Sequence, residues 1–441
     1  IGSSYQHWTL ASFLARARWD YQGKYYANIA IRTDGSSRLA AGNQWAFFPS
    51  GGVAWRISEE KFFGKREWLN SLKLRASYGA VGNSAIDPYQ TIAGLSKYDY
   101  LFGEDASNKF FAYRPSMIPN KDLGWEISRT ANFGVDFGLW NNRISGYIEG
   151  YITKTSDLLM ERMLPFFTGF SKVWQNIGKT ENKGIELNIQ ANTLKTKSFS
   201  WETTVTFARN WNKITELLGG GDIRNNSWFI GKPLQVHYNY EMIGVWQLGE
   251  EKEAQKYGAI PGDIKVKDQN NDGSIGELDK VILGQKDPKI IASLLNSFRF
   301  GAFDASINLN MNFGSLIHPN TYASLITRDG LRWMPSNFKY WTPDNPTNEY
   351  TRADKLSGYD PFAGTGGYMK GDYIKIQDIT LGYDFSKIMP KNWKILRARL
   401  YAQVRNLGYI YKACKNDVSP EAPDFDYNIP TTYTMGINID F

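Results

Sequence analysis

The feature that most restricts this chain is a period of two in side-chain polarity, and it is plainest in the last residues, TTYTMGINIDF. Tyr433, Met435, Ile437, Ile439 and Phe441 are apolar or aromatic, while Thr432, Thr434, Gly436, Asn438 and Asp440 are small or polar. Successive side chains of a strand point to opposite faces, so this segment predicts a strand with one greasy and one wet face. The pattern recurs along the whole chain. Phe133, Val135, Phe137 and Leu139 alternate with Asn132, Asp136 and Gly138. Phe303, Ala305, Ile307, Leu309, Met311 and Phe313 alternate with Asp304, Ser306, Asn308, Asn310 and Asn312. A chain that keeps making such strands reads as the wall of a transmembrane β-barrel.

Thirteen strands are expected, with approximate spans 8–21, 24–36, 46–57, 71–83, 127–139, 142–157, 180–193, 198–211, 290–301, 303–314, 372–385, 395–407 and 431–441. Most have the length a tilted strand needs to cross a bilayer. Their connections alternate. Residues 140–142, 193–197 and 301–302 are tight, and 58–70 and 385–395 are moderate. Long loops are expected at about 84–126, 158–179, 212–289, 315–371 and 408–430. Short turns at one end and long loops at the other form the outer-membrane signature, with the long loops outside the cell. An odd number of strands does not close a bacterial single-chain barrel of the usual even count. The chain also opens directly into strand-like sequence, without a signal peptide. The expectation is therefore a C-terminal part of a longer barrel, with residues 1–441 as one all-β unit.

Mean hydropathy is −0.44 and no run of 18 apolar residues is present, so no transmembrane helix is available. A barrel escapes that objection because half of each strand faces a polar lumen. Aromatic residues make up 15% of the chain, as interfacial girdles would require. The single cysteine, Cys414, excludes an internal disulfide and a cysteine-based zinc site, and His7, His237 and His318 are far apart in sequence. The net charge of +7 is spread rather than clustered, which argues against nucleic-acid binding and suits lipopolysaccharide phosphates or a lumen for anionic solutes.

Several stretches resemble the SusC/RagA family of TonB-dependent outer-membrane transporters of the Bacteroidetes. They are RTDGSSR (32–38), FPSGGVAWRISEE (48–60), LKLRASYGAVGN (72–83), LGWEISRTANFGVDFGLWNNRISG (123–146), NKGIEL (182–187) and PGDIKVKDQNNDGSIGELD (261–279). The resemblance implies a 22-stranded barrel closed by an N-terminal plug. It also implies a SusD-like surface lipoprotein as a lid and energy supplied through a TonB box. Neither plug nor box is found in this sequence, so the resemblance places the chain in the C-terminal part of the barrel.

The sharpest local motif is DQNNDGSIGELD. As a twelve-residue calcium loop, Asp268, Asn270 and Asp272 fall at positions 1, 3 and 5, Gly273 at the sharp turn, Ser274 at position 7 and Asp279 at position 12. Aspartate at position 12 replaces the usual glutamate and reaches less far. The alternative is an ion-free Asp/Asn/Gly turn. Loop aromatics are a second candidate: Trp174, Trp228, Trp246, Trp333 and Trp341 could stack on sugars or line a peptide cleft, the alternative being packing, girdle or lipoprotein contact. Asn308, Asn310, Arg397, Arg399 and Arg405 are nominated as polar lumen wall. Phe441, a terminal aromatic on an amphipathic strand, resembles the assembly signal of outer-membrane barrels. No phosphate loop, HExxH or GxSxG motif occurs, and no enzymatic activity is expected.

These readings converge on active import of a nutrient, glycan or peptide, across the outer membrane. Two alternatives stay open: a soluble or surface glycan-binding β-protein, and a passive porin-like barrel.

Overall fold

The computed structural model describes residues 5–64, 66–102, 108–327, 338–352, 362–386, 388–390, 395–415, 418–424 and 429–440. Thirteen strands form one antiparallel sheet, each beside its neighbour in chain order. They are β1 (Leu10–Tyr21), β2 (Tyr25–Ser36), β3 (Trp45–Arg56), β4 (Leu69–Asn83), β5 (Glu126–Leu139), β6 (Ile144–Ser156), β7 (Lys179–Lys195), β8 (Phe199–Glu216), β9 (Ile290–Phe300), β10 (Phe303–Phe313), β11 (Tyr373–Asp384), β12 (Arg397–Lys412) and β13 (Thr432–Asp440). All thirteen expected strands are present, most with ends within about three residues of the expected ones. Two run longer: β8 continues to Glu216 and β12 to Lys412. Pairing sustains β12 to its end, where Lys412 lies opposite Tyr373.

Register keeps the apolar residues of neighbouring strands on one face. Trp19, Tyr21 and Ala17 of β1 stand opposite Ala27, Tyr25 and Ile29 of β2, while Arg16, Arg18 and Asp20 stand opposite Ala30, Asn28 and Tyr26. A slip of one residue would exchange the two faces, so the alternation pins the pairing. On the apolar face aromatic rings stack across strands, Tyr21 on Tyr25 and Tyr25 on Trp55, with centroids 6.5 and 6.4 Å apart. Such cross-strand pairs are the unit of sheet stabilisation.

Several of the tight turns carry left-handed backbone. Gln22 and Gly23 have φ of 55° and 64°, the twist that matches a two-stranded ribbon. At the turn after β5, Trp140, Asn141 and Asn142 are all left-handed. Asparagine tolerates this conformation, and Asn70 accepts a hydrogen bond from the Asn141 amide and donates another to its side chain.

The chain divides into two compact units, residues 1–189 with 210–234, and residues 190–209 with 235–441. In the first unit a loop core gathers Leu39, Phe48, Ile86, Leu123 and Trp125. Phe48 meets Trp125 edge-on at 5.4 Å, and the indole of Trp125 donates to the Gln44 carbonyl at 2.8 Å. In the second unit Tyr322, Tyr350, Cys414 and Val418 form another. The long connections hold short hairpins that alternation did not signal, Leu95–Phe102 with Asn108–Pro115 and Leu159–Met163 with Lys172–Asn176. Two short helices lie in loops as well, α1 (Glu251–Lys256) and α2 (Asn320–Thr327). No described helix is long and apolar enough to cross a membrane.

Candidate functional site

The polar face of the sheet is organised by charge pairs that skip a strand. In the first unit Arg75 on β4 donates from Nε to Asp136 Oδ1 on β5 at 2.9 Å and reaches Glu149 Oε2 on β6 at 2.7 Å. Lys73 adds a second cation 3.4 Å from Asp136. The crossing is open because Gly134 lies between Arg75 and Glu149 in register. A Cβ there would come within 2.9 Å of the guanidinium.

The second unit repeats the device. Asp304 on β10 is opposite Gly382 on β11, and Arg399 on β12 reaches over that glycine to both carboxylate oxygens, at 2.8 and 2.5 Å. Fork-to-fork pairing of this kind is stronger than a single charged contact and fixes direction. Beside it Arg397 Nε donates to Asp384 Oδ2 at 3.3 Å. Asn308 donates to Asp378 at 3.1 Å and Asn310 to Gln377 at 3.3 Å. Arg405 is exposed, opposite Asp378 and Thr432. The five expected wall residues thus share one face, four of them held by side-chain hydrogen bonds. The result is a polar face on which charges of both signs and side-chain amides are held in fixed positions.

The loops are tied to this wall and to one another. Lys375 on β11, almost fully buried, pairs with Glu421 at 2.6 Å, and Tyr409 donates to the same carboxylate at 2.8 Å. His237 and His318, distant in sequence, come to 6.3 Å between ring centroids, and both pack on Tyr368. His237 Nε2 meets the Leu316 carbonyl at 2.9 Å and His318 Nε2 meets the Gly366 carbonyl at 3.0 Å. Burial pushes His237 down to about 4, and the charge of Lys286 adds to it. Neutral His237 then donates Nε2–H to Leu316, which pins two loop segments together.

The tryptophans divide. Trp246 and Trp341 are buried. Trp246 stacks on Tyr257 and has Lys265 Nζ 4.3 Å from its ring. Trp341 donates to Gln247 Oε1 at 2.9 Å and packs so closely on Gly262 that a Cβ there would come within 2.6 Å of the ring. These two rings pack the loop from inside. Trp174 and Trp228 are half-buried, the first against the core around Leu123. Trp333 and Phe441 lie outside the described residues.

In the loop Asp268–Asp279 the carboxylates face the backbone. Asp268 accepts from the amides of Asn271 and Gly273 at 2.6 and 2.9 Å. Asp272 accepts from the amide and hydroxyl of Ser274, both at 2.8 Å, and these bonds hold its carboxyl below the usual range. Asn270 joins by donating to Asp272 at 2.8 Å. Asp279, 1% exposed, accepts from Gln269 and Gly276 at 2.8 and 2.7 Å. Among the described residues no trio of His, Cys, Asp or Glu converges as a metal-holding group.

Sequence reading missed the acceptors Asp136, Glu149, Asp304 and Asp384, and the meeting of His237 with His318. Glycines at polar-face positions, Gly134 and Gly382, were the available signal for the first group. Nothing local signals the second.

Residues 2–407 match the family described as TonB dependent receptor-like, beta-barrel. TonB-dependent receptor P26 of Formosa agariphila is 30% identical over 478 residues, an alignment that spans 100% of this chain and 47% of that protein. TonB-dependent receptor SusC of Bacteroides thetaiotaomicron is 29% identical over 457 residues, with 98% and 44% spanned. The solved structure of the RagAB peptide transporter superposes with a TM-score of 0.80 at 23% identity, over 98% of this chain and 48% of that one. The chain therefore spans about half the length of the curated relatives it matches.

Proposed function

Because the chain belongs to the TonB-dependent receptor-like β-barrel family of the outer membrane, we propose that it forms part of the wall of an active importer for an oligomeric nutrient, peptide or glycan. The observation that carries this reading is the two-faced sheet. One face is apolar and ringed with aromatics, as lipid requires, and the other bears the charge pairs of Arg75 and Arg399 with the amides of Asn308 and Asn310. Such a wall would conduct a hydrated solute. Energy from TonB and a SusD-like lipoprotein seated on the long loops complete the proposed machine. The likeness to SusC and to the RagAB fold supports both. Lipopolysaccharide and phospholipid surround it.

The test is growth and uptake in cells that lack the full-length gene, with and without complementation, on mixed oligopeptides or on polysaccharide as sole carbon source. A complementable defect on one of them names the substrate class. Unimpaired growth on both, with unimpaired uptake of labelled oligomers, overturns the proposal.

Calcium is the ion we propose for the loop Asp268–Asp279, and the support is the spacing of Asp268, Asn270, Asp272, Ser274 and Asp279. Calorimetric titration of the full-length protein with calcium chloride should give a heat that Asp272→Ala removes. An identical heat in both, or none in either, refutes it.

A further inference from the structure

The apolar face of the second unit is not flat. Across β9 to β13 one row reads Phe298, Ala305, Leu381, Ala402, Met435, each residue opposite the next in register. Large and small side chains alternate there. The row two residues nearer the short turn is large throughout, and in it Phe303 packs edge-on against Tyr383 at 4.6 Å. The two alanines leave a hollow of about 350 Å³, floored by Ala305 and Ala402 and closed at the turn end by the aromatic row. Leu381 and Met435 stand up from it, 60% and 78% exposed. Asp304, Gly382 and Tyr401 touch its floor, but the Asp304 carboxylate is engaged by Arg399, and the remaining lining residues are apolar or aromatic.

We propose that this hollow holds one acyl chain of a glycerophospholipid from the periplasmic leaflet. The hollow is continuous with the face that the membrane already covers, so its occupant comes from the membrane. Its position fixes the leaflet. Phe300 and Phe303 flank the tight turn at Gly301–Ala302, and short turns are the periplasmic ones in such barrels. Aromatic belts sit at headgroup level, so a chain anchored at the row of Phe303 and Tyr383 runs inward over the alanines. A void beside packed side chains forfeits dispersion contacts on one side, and a methylene chain restores them where a rigid neighbour does not fit.

The experiment is native mass spectrometry of the full-length protein in mild detergent, with phosphatidylethanolamine as the added probe. The wild type should retain a phospholipid adduct that the double variant Ala305→Phe, Ala402→Phe loses. Ala15→Phe, on the apolar face of β1, should keep it. Equal adducts in all three proteins, or lipid A as the retained species, overturn the proposal. Should the double variant fail to fold, wild-type protein in nanodiscs of dibromo-acyl phosphatidylethanolamine decides. Bromine density confined to the hollow supports the site, and density spread evenly around the apolar face refutes it.

Discussion

Arg399 and Asp304 belong to strands that are not neighbours, yet both guanidinium nitrogens facing the carboxylate bond to it, at 2.8 and 2.5 Å. The bare backbone of Gly382 between them makes the contact possible, since a Cβ there would lie 2.5 Å from Arg399 Nη2 and 2.6 Å from Asp304 Oδ1.

Gly382→Ala should therefore push the pair apart and lower stability by about 1–3 kcal/mol. Arg399→Lys keeps the charge but loses the fork, and a loss of about 1 kcal/mol is expected. The temperature at which the folded barrel band disappears in gel electrophoresis reports both. An unchanged temperature for Gly382→Ala would show that the pair is not held across the glycine.

The histidine contact predicts a pH dependence. Folded His237 titrates at about 4 against an ordinary 6.5. Its contribution is therefore complete above pH about 6.5 and drains away as pH falls from there to about 4, because only the unfolded or detached loop takes up the proton readily. The charge of Lys286 opposes protonation further. Limited proteolysis should cut the connections near residues 235–240 and 315–318 faster at pH 4.5 than at pH 7.5 in the wild type. His237→Gln should flatten that difference.

Buried loop tryptophans should behave as packing. Trp341→Ala removes a ring that is 6% exposed and the hydrogen bond to Gln247, at a cost of about 3–5 kcal/mol to the local fold. Protease sensitivity around residues 241–279 should rise, with Trp341→Phe intermediate. Reduced uptake with the loop still fully protected would restore Trp341 as a substrate contact.

Asp279 is a buried acceptor on both oxygens. Asp279→Asn turns one oxygen into a donor facing an amide N–H, and the mismatch should cost about 1–3 kcal/mol. Amide hydrogen exchange at Gln269 and Gly276 measures it directly. Undiminished protection there would show that the two bonds do not order the loop.

The wall was legible in the sequence because a two-residue period sustained over ten or more residues fits a strand and no helix, and Phe303 to Phe313 displays it without a break. The parity of Asn308, Asn310, Arg397, Arg399 and Arg405 followed from the same period. Their partners did not. Arg399 finds Asp304 across a strand, and the irregularity between Ile376 and Asp378 shifts the register along β11. Loop hairpins such as Leu95–Phe102 were hidden because aromatic residues occupy both of their exposed faces, with Tyr98 on one and Tyr113 on the other. The approach of His237 to His318 depends on where two long loops return, which no local pattern encodes.

The connection from Glu216 to Ile290 is roughly seventy residues, against three between Lys195 and Phe199. Loop-closure entropy grows only with the logarithm of length, so this excess costs about 3 kcal/mol. The wall is thus nearly indifferent to what its long connections contain. Insertions there should have little effect on the strands, whereas a single added methyl at Gly134 or Gly382 is felt at once. Sequence change thus has a tolerant place to accumulate in the long connections and an intolerant one at the bare backbone positions of the polar face.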